Sequence, residues 1–207
     1  MKLAVFDFDS TLMDGETIDF LAEPLGLKEK VASITEMAMR GELDFFESLI
    51  MRVKLLEGLK ENKVNEICRN LPLMSGAKDI VTELKKRGVK VICFSGGFRN
   101  ATSYVKDLIG LDADFSNVLH AKEGVLTGLV GGEMMFSHSK GDMLKRIQNI
   151  LGVTENETMV VGDGANDLSM FKHAKTKVAF CAKEVLKKEA NIVVEEKDLT
   201  KILEFIQ

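Results

Sequence analysis

The 207-residue chain has no tryptophan, a single tyrosine, two prolines and three cysteines. The cysteines are far apart and include no Cys-x-x-Cys pair, and an odd number cannot close into intrachain disulfides alone. No stretch reaches the roughly 18 consecutive apolar residues that are typical of a membrane-spanning helix. The apolar N-terminal stretch is interrupted by Asp7 and Asp9, so it lacks the core of a signal peptide. These absences predict reduced thiols, no membrane partner and a cytoplasmic location.

The sequence also lacks a segregated basic region. It holds 28 Lys and Arg residues against 32 Asp and Glu residues, and the two signs are interspersed along the chain. Because proteins that bind nucleic-acid backbones carry clustered positive charge, we expect no nucleic-acid partner. With 45% hydrophobic and 29% charged residues, the composition is that of a globular protein with a core. The length favours one main domain with an insertion.

Three short apolar segments each end in a polar cluster. The segments are residues 2–6, 89–94 and 158–161, and the clusters begin at Asp7, Ser95 and Gly162. Short strands that alternate with helical patterns predict an α/β fold, with a Rossmann-like parallel sheet and helices on both of its faces. Ligands of such sheets bind beyond the carboxyl ends of the strands, so we expect a site where the three clusters meet.

The residue pattern changes between residues 14 and 75, which are rich in Lys, Glu, Met and Leu and contain no candidate strand. We predict that residues 14–75 form a small helical cap, inserted after the first strand into an α/β core of residues 1–13 and 76–207. Asp44 and Glu47 have the spacing of a capping box for a helix that ends before Gly58.

Two further elements are expected within the core. Residues 118–135 contain paired turn signals at residues 123–124 and 131–132, which predict a small β-hairpin. Near the C-terminus, apolar residues recur at helical spacing from Asp198 to Ile206, which predicts a helix that packs on the core.

Carboxylates collect at the predicted strand ends, at Asp7, Asp9, Asp163 and Asp167. Like charges at this spacing raise one another's pKa and destabilise the fold unless a cation neutralises them, and an all-oxygen ligand set without His or Cys favours Mg²⁺. One Asp alone is more simply interpreted as a helix cap or a solvated turn. The set favours a phosphate site, because Ser95, Gly96, Gly97 and Lys140 accompany it and glycine lets backbone N–H groups approach an anion.

Four motifs resemble, in order and spacing, those of the haloacid dehalogenase superfamily. They are Asp7–Leu12, Ser95–Gly97, Lys140 and Gly162–Asp167. A closer resemblance, to the phosphoserine phosphatases, rests on Asp9–Thr11, Glu16–Thr17, Ser95–Phe98 and Gly162–Asp167. The resemblance covers nearly the whole chain and implies the fold of that superfamily. It implies that Asp7 attacks phosphorus to form an aspartyl phosphate, and that Asp9 protonates the leaving alcohol and then activates water.

The resemblance also implies the remaining roles. Ser95 and Lys140 would hold the transferring phosphoryl oxygens, and Asn166 would add a further contact to the phosphate. Mg²⁺ would be bound by the carboxylates of Asp7 and Asp163 and by the backbone carbonyl of Asp9. Asp167 would orient a metal-bound water or Lys140 without binding the metal.

The expected substrate contacts lie in the insertion. Phe45 and Arg52 are seven residues apart, on a helix face that also carries Leu49 and Leu56. An arginine in an apolar stripe commonly extends its charge to water. Similarity to the family implies instead that Arg52 binds the substrate carboxylate and Glu16 its ammonium. Two apolar walls, Met39 and Phe45, would complete the pocket, with Gly96 and Gly97 on its phosphate side.

These inferences predict a Mg²⁺-dependent enzyme that hydrolyses O-phosphoserine, the last step of serine biosynthesis, as a monomer or homodimer. A phosphotransferase that passes the phosphoryl group to homoserine, or a phosphatase for another small phosphomonoester, is the alternative. A phosphoacceptor signalling domain is disfavoured because such domains carry the phosphorylated Asp on a strand in the middle of the chain, whereas Asp7 follows the first strand. A dehalogenase is disfavoured because a halide leaving group does not require the acid Asp9.

Overall fold

The computed structural model describes residues 1–39 and 42–206, with Met39 described by its backbone alone. A seven-stranded sheet forms its centre, in the order β4-β3-β2-β1-β5-β6-β7. The strands are β1 (Leu3–Asp7), β2 (Lys90–Phe98), β3 (Ala113–Lys122), β4 (Val125–Gly132), β5 (Thr158–Gly162), β6 (Thr176–Phe180) and β7 (Ile192–Val194). All neighbours are parallel except β3 and β4, which are antiparallel. The predicted α/β fold with a mainly parallel sheet is confirmed.

Helices cover both faces of the sheet. They are α1 (Thr17–Ala22), α2 (Lys28–Met39), α3 (Phe45–Lys54), α4 (Glu61–Arg69), α5 (Ala77–Lys86), α6 (Arg99–Ile109), α7 (Ser139–Leu151), α8 (Leu168–Phe171) and α9 (Glu184–Lys187). Alternate residues of β1 belong to different buried clusters, with Ala4 and Phe6 in one and Leu3 and Val5 in the other. This two-residue alternation explains why β1 is apolar throughout, since both of its faces are covered.

The four helices α1 to α4 follow β1 along the chain and will be called the helical insertion. The capping box of α3 is present: the Asp44 side chain accepts from the Glu47 backbone at 2.7 Å, and the Glu47 side chain accepts from the Asp44 backbone at 3.1 Å. The apolar stripe of α3, with Leu49 and Val53, packs into the same buried cluster as Phe8 beyond the end of β1. Burial of this stripe therefore holds the insertion against the sheet edge where the polar clusters lie.

Three elements differ from the sequence predictions in extent or type. Strand β2 continues to Phe98, through the Ser95-Gly96-Gly97 turn that was expected to end it. Strand β3 begins at Ala113, before the predicted hairpin, whereas its antiparallel pairing with β4 begins at Asn117 and Gly132 and forms the edge of the sheet. The C-terminal segment Leu199–Glu204 is a 3-10 helix, with Leu199 and Ile202 buried as predicted. Within residues 1–39 and 42–206, no helix is long and apolar enough to cross a membrane.

Candidate active site

Register brings the strand ends level. Asp7 at the end of β1 pairs with Phe94 of β2, and Phe6 pairs with Val161 of β5. The polar clusters that follow these strands therefore meet at one edge of the sheet, beside the central strand. The first turn of α7, which carries Lys140, reaches the same place.

Two carboxylates share one lysine at the centre of this edge. Lys140 Nζ lies 2.5 Å from Asp7 Oδ1 and 2.7 Å from Asp167 Oδ1, and the exposed fractions of the three residues are 3%, 3% and 0%. Burial would lower the pKa of Lys140, but the charges of Asp167 and Asp7 raise it above its usual value, so the lysine stays charged. Burial and the nearby Asp167 raise the pKa of Asp7.

The two contacts of the Asp7 carboxylate are made to a single oxygen. Asp7 Oδ1 accepts a hydrogen bond from the Phe8 backbone N–H at 2.7 Å as well as contacting Lys140. Oδ2 is the oxygen left for another group, and Asp7 lines a cavity beside the sheet edge. A carboxylate held on one oxygen and free on the other is oriented as a nucleophile must be.

Asp9 is held by the helical insertion. Its Oδ1 accepts from both the backbone N–H of Thr17, at 2.7 Å, and the Thr17 hydroxyl, at 2.6 Å. The Ser95 hydroxyl donates to Asp9 Oδ2 at 3.4 Å. Burial raises the pKa of Asp9, while the bonds from Thr17 lower it in part. The first turn of α1 thus places the carboxyl group that is the candidate general acid and base.

The two glycines after Ser95 are required for a reason that the sequence did not reveal. A Cβ at Gly97 would lie 2.7 Å from Asp9 Oδ2, and a Cβ at Gly96 would lie 2.8 Å from the ring of Phe45 in α3. Gly97 N–H donates to Ser95 Oγ at 2.9 Å. The next helix, α6, begins only at Arg99, so the Gly96-Gly97 turn separates its N-terminus from Ser95.

Asp7, Asp163 and Asp167 could together hold a metal ion, because one oxygen of each lies within 4.8 Å of the others. Both oxygens of Asp167 already have protein donors: Oδ1 contacts Lys140, and Oδ2 accepts from the backbone N–H groups of Asp163 and Gly164. Asp167 therefore has no oxygen left for a metal, whereas none of the described residues donates a hydrogen bond to Asp7 Oδ2 or to the Asp163 carboxylate. Burial and the charge of Asp167 raise the pKa of Asp163 to about 7. A bound cation would offset the repulsion between these carboxylates.

A cavity of about 370 Å³ opens beside these carboxylates, between the sheet edge and the helical insertion. Most of the predicted site residues line it: Asp7, Asp9, Glu16, Phe45, Arg52, Gly96, Gly97, Asp163 and Asn166. Ser95, Lys140 and Asp167 are buried directly behind this lining and contact it through Asp9, Asp7 and the Asp163 backbone. The side chain of Met39, the other predicted wall, lies outside the described residues.

The helical insertion contributes two residues of opposite charge, Arg52 and Glu16, to the cavity lining. The Arg52 guanidinium donates through Nε to the Ser48 carbonyl at 3.2 Å; burial lowers its pKa, while Glu16 and Asp9 raise it. Glu16 accepts from the Ser10 hydroxyl at 3.1 Å, and burial together with Asp9 and Asp163 raises its pKa to about 8. The cavity is thus small, bordered by the Phe45 ring, and lined from the insertion by Arg52 and Glu16, neither of which belongs to the carboxylate cluster.

Sequence reasoning missed several residues of this site. Thr17 was noted only as part of a motif, although it makes two hydrogen bonds to Asp9. Lys183 follows β6 and lines the cavity, and its backbone N–H donates to the Asp163 carbonyl at 2.8 Å. Its position just after a strand end was the available signal. Ser48 lines the cavity one helical turn before Arg52, a spacing that the α3 stripe already contained.

Comparisons with known proteins agree with this geometry. A family model for haloacid dehalogenase-like hydrolases matches residues 1–175. A phosphoserine phosphatase of Wolinella succinogenes is 62% identical over 203 residues, which cover 98% of each chain. A solved phospho-aspartyl intermediate analogue of phosphoserine phosphatase superposes with a TM-score of 0.95, at 47% identity, over 100% of this chain and 99% of that one. A substrate-bound phosphoserine phosphatase complex gives a TM-score of 0.95 at 46% identity, over 100% and 98% of the two chains. The chain therefore belongs to the haloacid dehalogenase-like hydrolases, in the group of the phosphoserine phosphatases.

Proposed function

We propose that the chain is a Mg²⁺-dependent phosphatase that hydrolyses O-phospho-L-serine to L-serine and phosphate through an aspartyl phosphate. One observation carries the proposal: a single small cavity is lined by the Asp7 and Asp9 carboxyl groups and also by Arg52 and Glu16. The first pair suits phosphoryl transfer, and the second pair matches the two charges of an amino acid. A phosphomonoester of a zwitterion is the ligand that uses all four groups.

In the first half of the reaction, the Asp7 carboxylate attacks phosphorus and the bond from phosphorus to the serine oxygen breaks. Asp9 gives its proton to that oxygen, so serine leaves as a neutral alcohol. In the second half, Asp9 takes a proton from water, which attacks phosphorus and releases phosphate from Asp7. The raised pKa of Asp9 suits a group that must donate a proton and then accept one.

The phosphoryl oxygens would be held by the Ser95 hydroxyl, Lys140 and the backbone of the Gly96-Gly97 turn, with Asn166 as a further contact. Charge spreads over these oxygens in the transition state, so fixed donors lower the barrier. Mg²⁺ would be held by Asp7, Asp163 and the Asp9 carbonyl, with Asp167 orienting Lys140 and the Asp163 backbone. When bound, the metal neutralises the carboxylates and polarises the phosphoryl group.

The amino-acid part of the substrate would lie against the helical insertion. Arg52 offers a planar guanidinium, which can bind a carboxylate through two parallel hydrogen bonds as a lysine cannot. Glu16 would take the ammonium, whose positive charge favours the ionised form of this acid despite its raised pKa. Phe45 closes the pocket against Gly96, and Met39 is proposed as a second apolar wall.

The same proposal includes the cellular setting. The enzyme would act on free phosphoserine in the cytoplasm and catalyse the last step of serine biosynthesis. It would be a monomer or a homodimer. Size-exclusion chromatography with light scattering distinguishes the last two.

The test is a phosphate-release assay over matched phosphomonoesters: phosphoserine, phosphothreonine, and phosphoethanolamine, which lacks the carboxylate. We expect phosphoserine to have the highest kcat/KM, and Arg52→Lys to reduce that preference while Lys54→Arg, on an exposed position of the same helix, leaves it unchanged. Parallel reactions with homoserine, analysed for phosphohomoserine, test transfer to an acceptor. Equal kcat/KM for the three esters, or accumulation of phosphohomoserine in place of phosphate, would contradict the proposal.

A further inference from the structure

The strand that carries Ser95 is irregular at the site itself. Phe94 of β2 pairs with Phe115 of β3, and the next pair is Phe98 with Asn117. Three residues of β2 therefore stand opposite one residue of β3. A bulge of this kind leaves backbone groups without partners in the ladder, and the Gly96 carbonyl lies inside it.

A buried side chain supplies the partner that the ladder does not. Asn117 is 0% exposed, and its Nδ2 donates to the Gly96 carbonyl at 3.0 Å and to the Met134 carbonyl at 3.1 Å. Its Oδ1 accepts from the Met134 backbone N–H at 3.0 Å. Both N–H donors of the amide are thus used, one on the Gly96-Gly97 turn and one on the segment that leads into α7.

The bond to the Gly96 carbonyl also orients the next amide. A trans peptide is planar, with its C=O and N–H pointing in opposite directions, so fixing Gly96 C=O on Asn117 fixes Gly97 N–H on the other side. That N–H points to Ser95 Oγ, at 2.9 Å, beside Asp9. The orientation of a candidate phosphate donor is therefore set by a side chain that does not line the cavity.

The surroundings of Asn117 leave room for this amide and little else. Gly132 of β4 pairs with Asn117, and a Cβ at Gly132 would lie 2.6 Å from Asn117 Oδ1. Met134, which makes the other two bonds, lies six residues before Lys140 in the connection from β4 to α7. The Asn117 amide consequently links strand β2, which carries Ser95, to the connection that leads into α7 and Lys140.

We propose that Asn117 is a positioning residue for phosphoryl transfer: it fixes the Gly96-Gly97 peptide and joins the Ser95 turn to the segment before Lys140. The inference rests on the proposed function, since it assigns the turn to the phosphoryl group. It makes a selective claim, because Asn117 acts on the phosphate side of the cavity and contacts neither Arg52 nor Glu16.

The experiment replaces Asn117 by Asp, which keeps the shape and the acceptor for Met134 N–H but removes both donors. Asn117→Ser is the second variant, should the acid prevent folding. The control is Gln148→Glu, since Gln148 is another buried amide, bonded to Thr158 Oγ at 3.0 Å and the His173 carbonyl at 2.8 Å, away from the cavity lining. Binding of inorganic phosphate and of L-serine, each with Mg²⁺, is measured by calorimetry, with kcat and melting temperature alongside.

We expect both Asn117 variants to bind phosphate at least about tenfold more weakly and to lose about a hundredfold in kcat, the scale for a misplacement of about 1 Å. Affinity for L-serine should stay within about twofold, and Gln148→Glu should lower the melting temperature without changing phosphate affinity. Unchanged phosphate binding and kcat in a folded Asn117 variant, or equal losses for phosphate and serine, would overturn the proposal. A wild-type protein that binds phosphate but does not hydrolyse phosphoserine would contradict the proposed function alone, since phosphate binding still tests Asn117.

Discussion

The two ends of the cavity are held in different ways. At the core end, Lys140 contacts Asp7 and Asp167 directly, and all three are almost fully buried. At the insertion end, Arg52 donates to a carbonyl one turn earlier in its own helix, and Glu16 accepts from a serine six residues away. The groups of the core end are thus fixed by each other across the fold, whereas those of the insertion end are fixed by local neighbours.

Under the proposed function, the core end would carry out the chemistry and the insertion end would select the substrate. Donors that are fixed before the substrate arrives stabilise the transition state without reorganising, and the buried network at the core end meets that condition. In the proposed function, the insertion end would bind the parts of the substrate that do not react, so its contribution would depend on which alcohol carries the phosphate. Changes at the core end should therefore impair every phosphate ester, while changes at the insertion end should alter the preference among esters.

At the core end, Asp7→Asn should cause the largest loss of activity. The shape of the side chain is kept, but a neutral amide cannot attack phosphorus, so we expect a folded protein with turnover reduced by about 10⁴-fold or more. Initial rates of phosphate release at saturating phosphoserine measure the loss, and circular dichroism verifies the fold. Turnover above about a tenth of the wild-type rate, less than the loss of an ordinary acid-base group, is incompatible with a carboxylate nucleophile.

Removal of the metal tests the same end without a mutation. Carboxylates of Asp7 and Asp163 that face each other without a cation repel, so chelation should reduce kcat by about 10²- to 10³-fold, and added Mg²⁺ should restore it. Ca²⁺ should inhibit, because it takes more ligands at longer distances and displaces the nucleophile. Full activity after exhaustive dialysis against a chelator would remove Mg²⁺ from the mechanism.

At the insertion end, Arg52→Ala separates the two ends most clearly. Loss of one partner of a desolvated charged pair costs about 2–5 kcal/mol, so kcat/KM for phosphoserine should fall by about thirty-fold to several thousand-fold. Phosphoethanolamine offers Arg52 no carboxylate, so its slower hydrolysis should change little and the two substrates should converge. Equal impairment of both would instead assign Arg52 to the stability or closure of the insertion.

What could be predicted from sequence follows the same division between local and distant causes. The apolar run of β1 and the Asp44-Glu47 capping box are local patterns, and both were correct. The continuation of β2 through Gly97 and the bonds of Asn117 depend on pairing with β3, which no local pattern records. Fold and candidate site residues were thus available from the strand ends and motifs.

Two other differences have equally specific causes. Thr17 reaches Asp9 because the chain turns back between them, with Ser10 in the left-handed region at φ 58°. The turn also contains Gly15, at φ 132°, whose carbonyl accepts from the Ser10 backbone N–H at 2.9 Å. A single glycine in the sequence did not show that this turn would bring Thr17 to Asp9. At the C-terminus, Leu199 and Ile202 are three residues apart, a spacing compatible with both the expected α-helix and the observed 3-10 helix.

The smallest expected effect concerns an aromatic contact between the two ends. Phe46 of α3 stacks on Phe136, in the connection between β4 and α7, with ring centroids 5.2 Å apart and planes at 13°. The stack joins the insertion to the segment that leads to Lys140, and His138 stacks on the same Phe136 ring at 5.4 Å. Both phenylalanine rings are partly exposed, at 36% and 49%, so the contact adds little to the stability of the core.

An aromatic pair contributes about 0.5–1.5 kcal/mol beyond its buried area, so Phe46→Ala should lower kcat/KM by about two- to tenfold. Because the stack joins the insertion to the β4–α7 connection and neither ring lines the cavity, phosphoserine and phosphoethanolamine should be affected equally. Phe46→Tyr keeps the ring and should retain wild-type values for both. Steady-state kinetics with the two esters measure the ratio. A loss confined to phosphoserine would mean that Phe46 acts through Arg52, and the two ends would then not be separable by this contact.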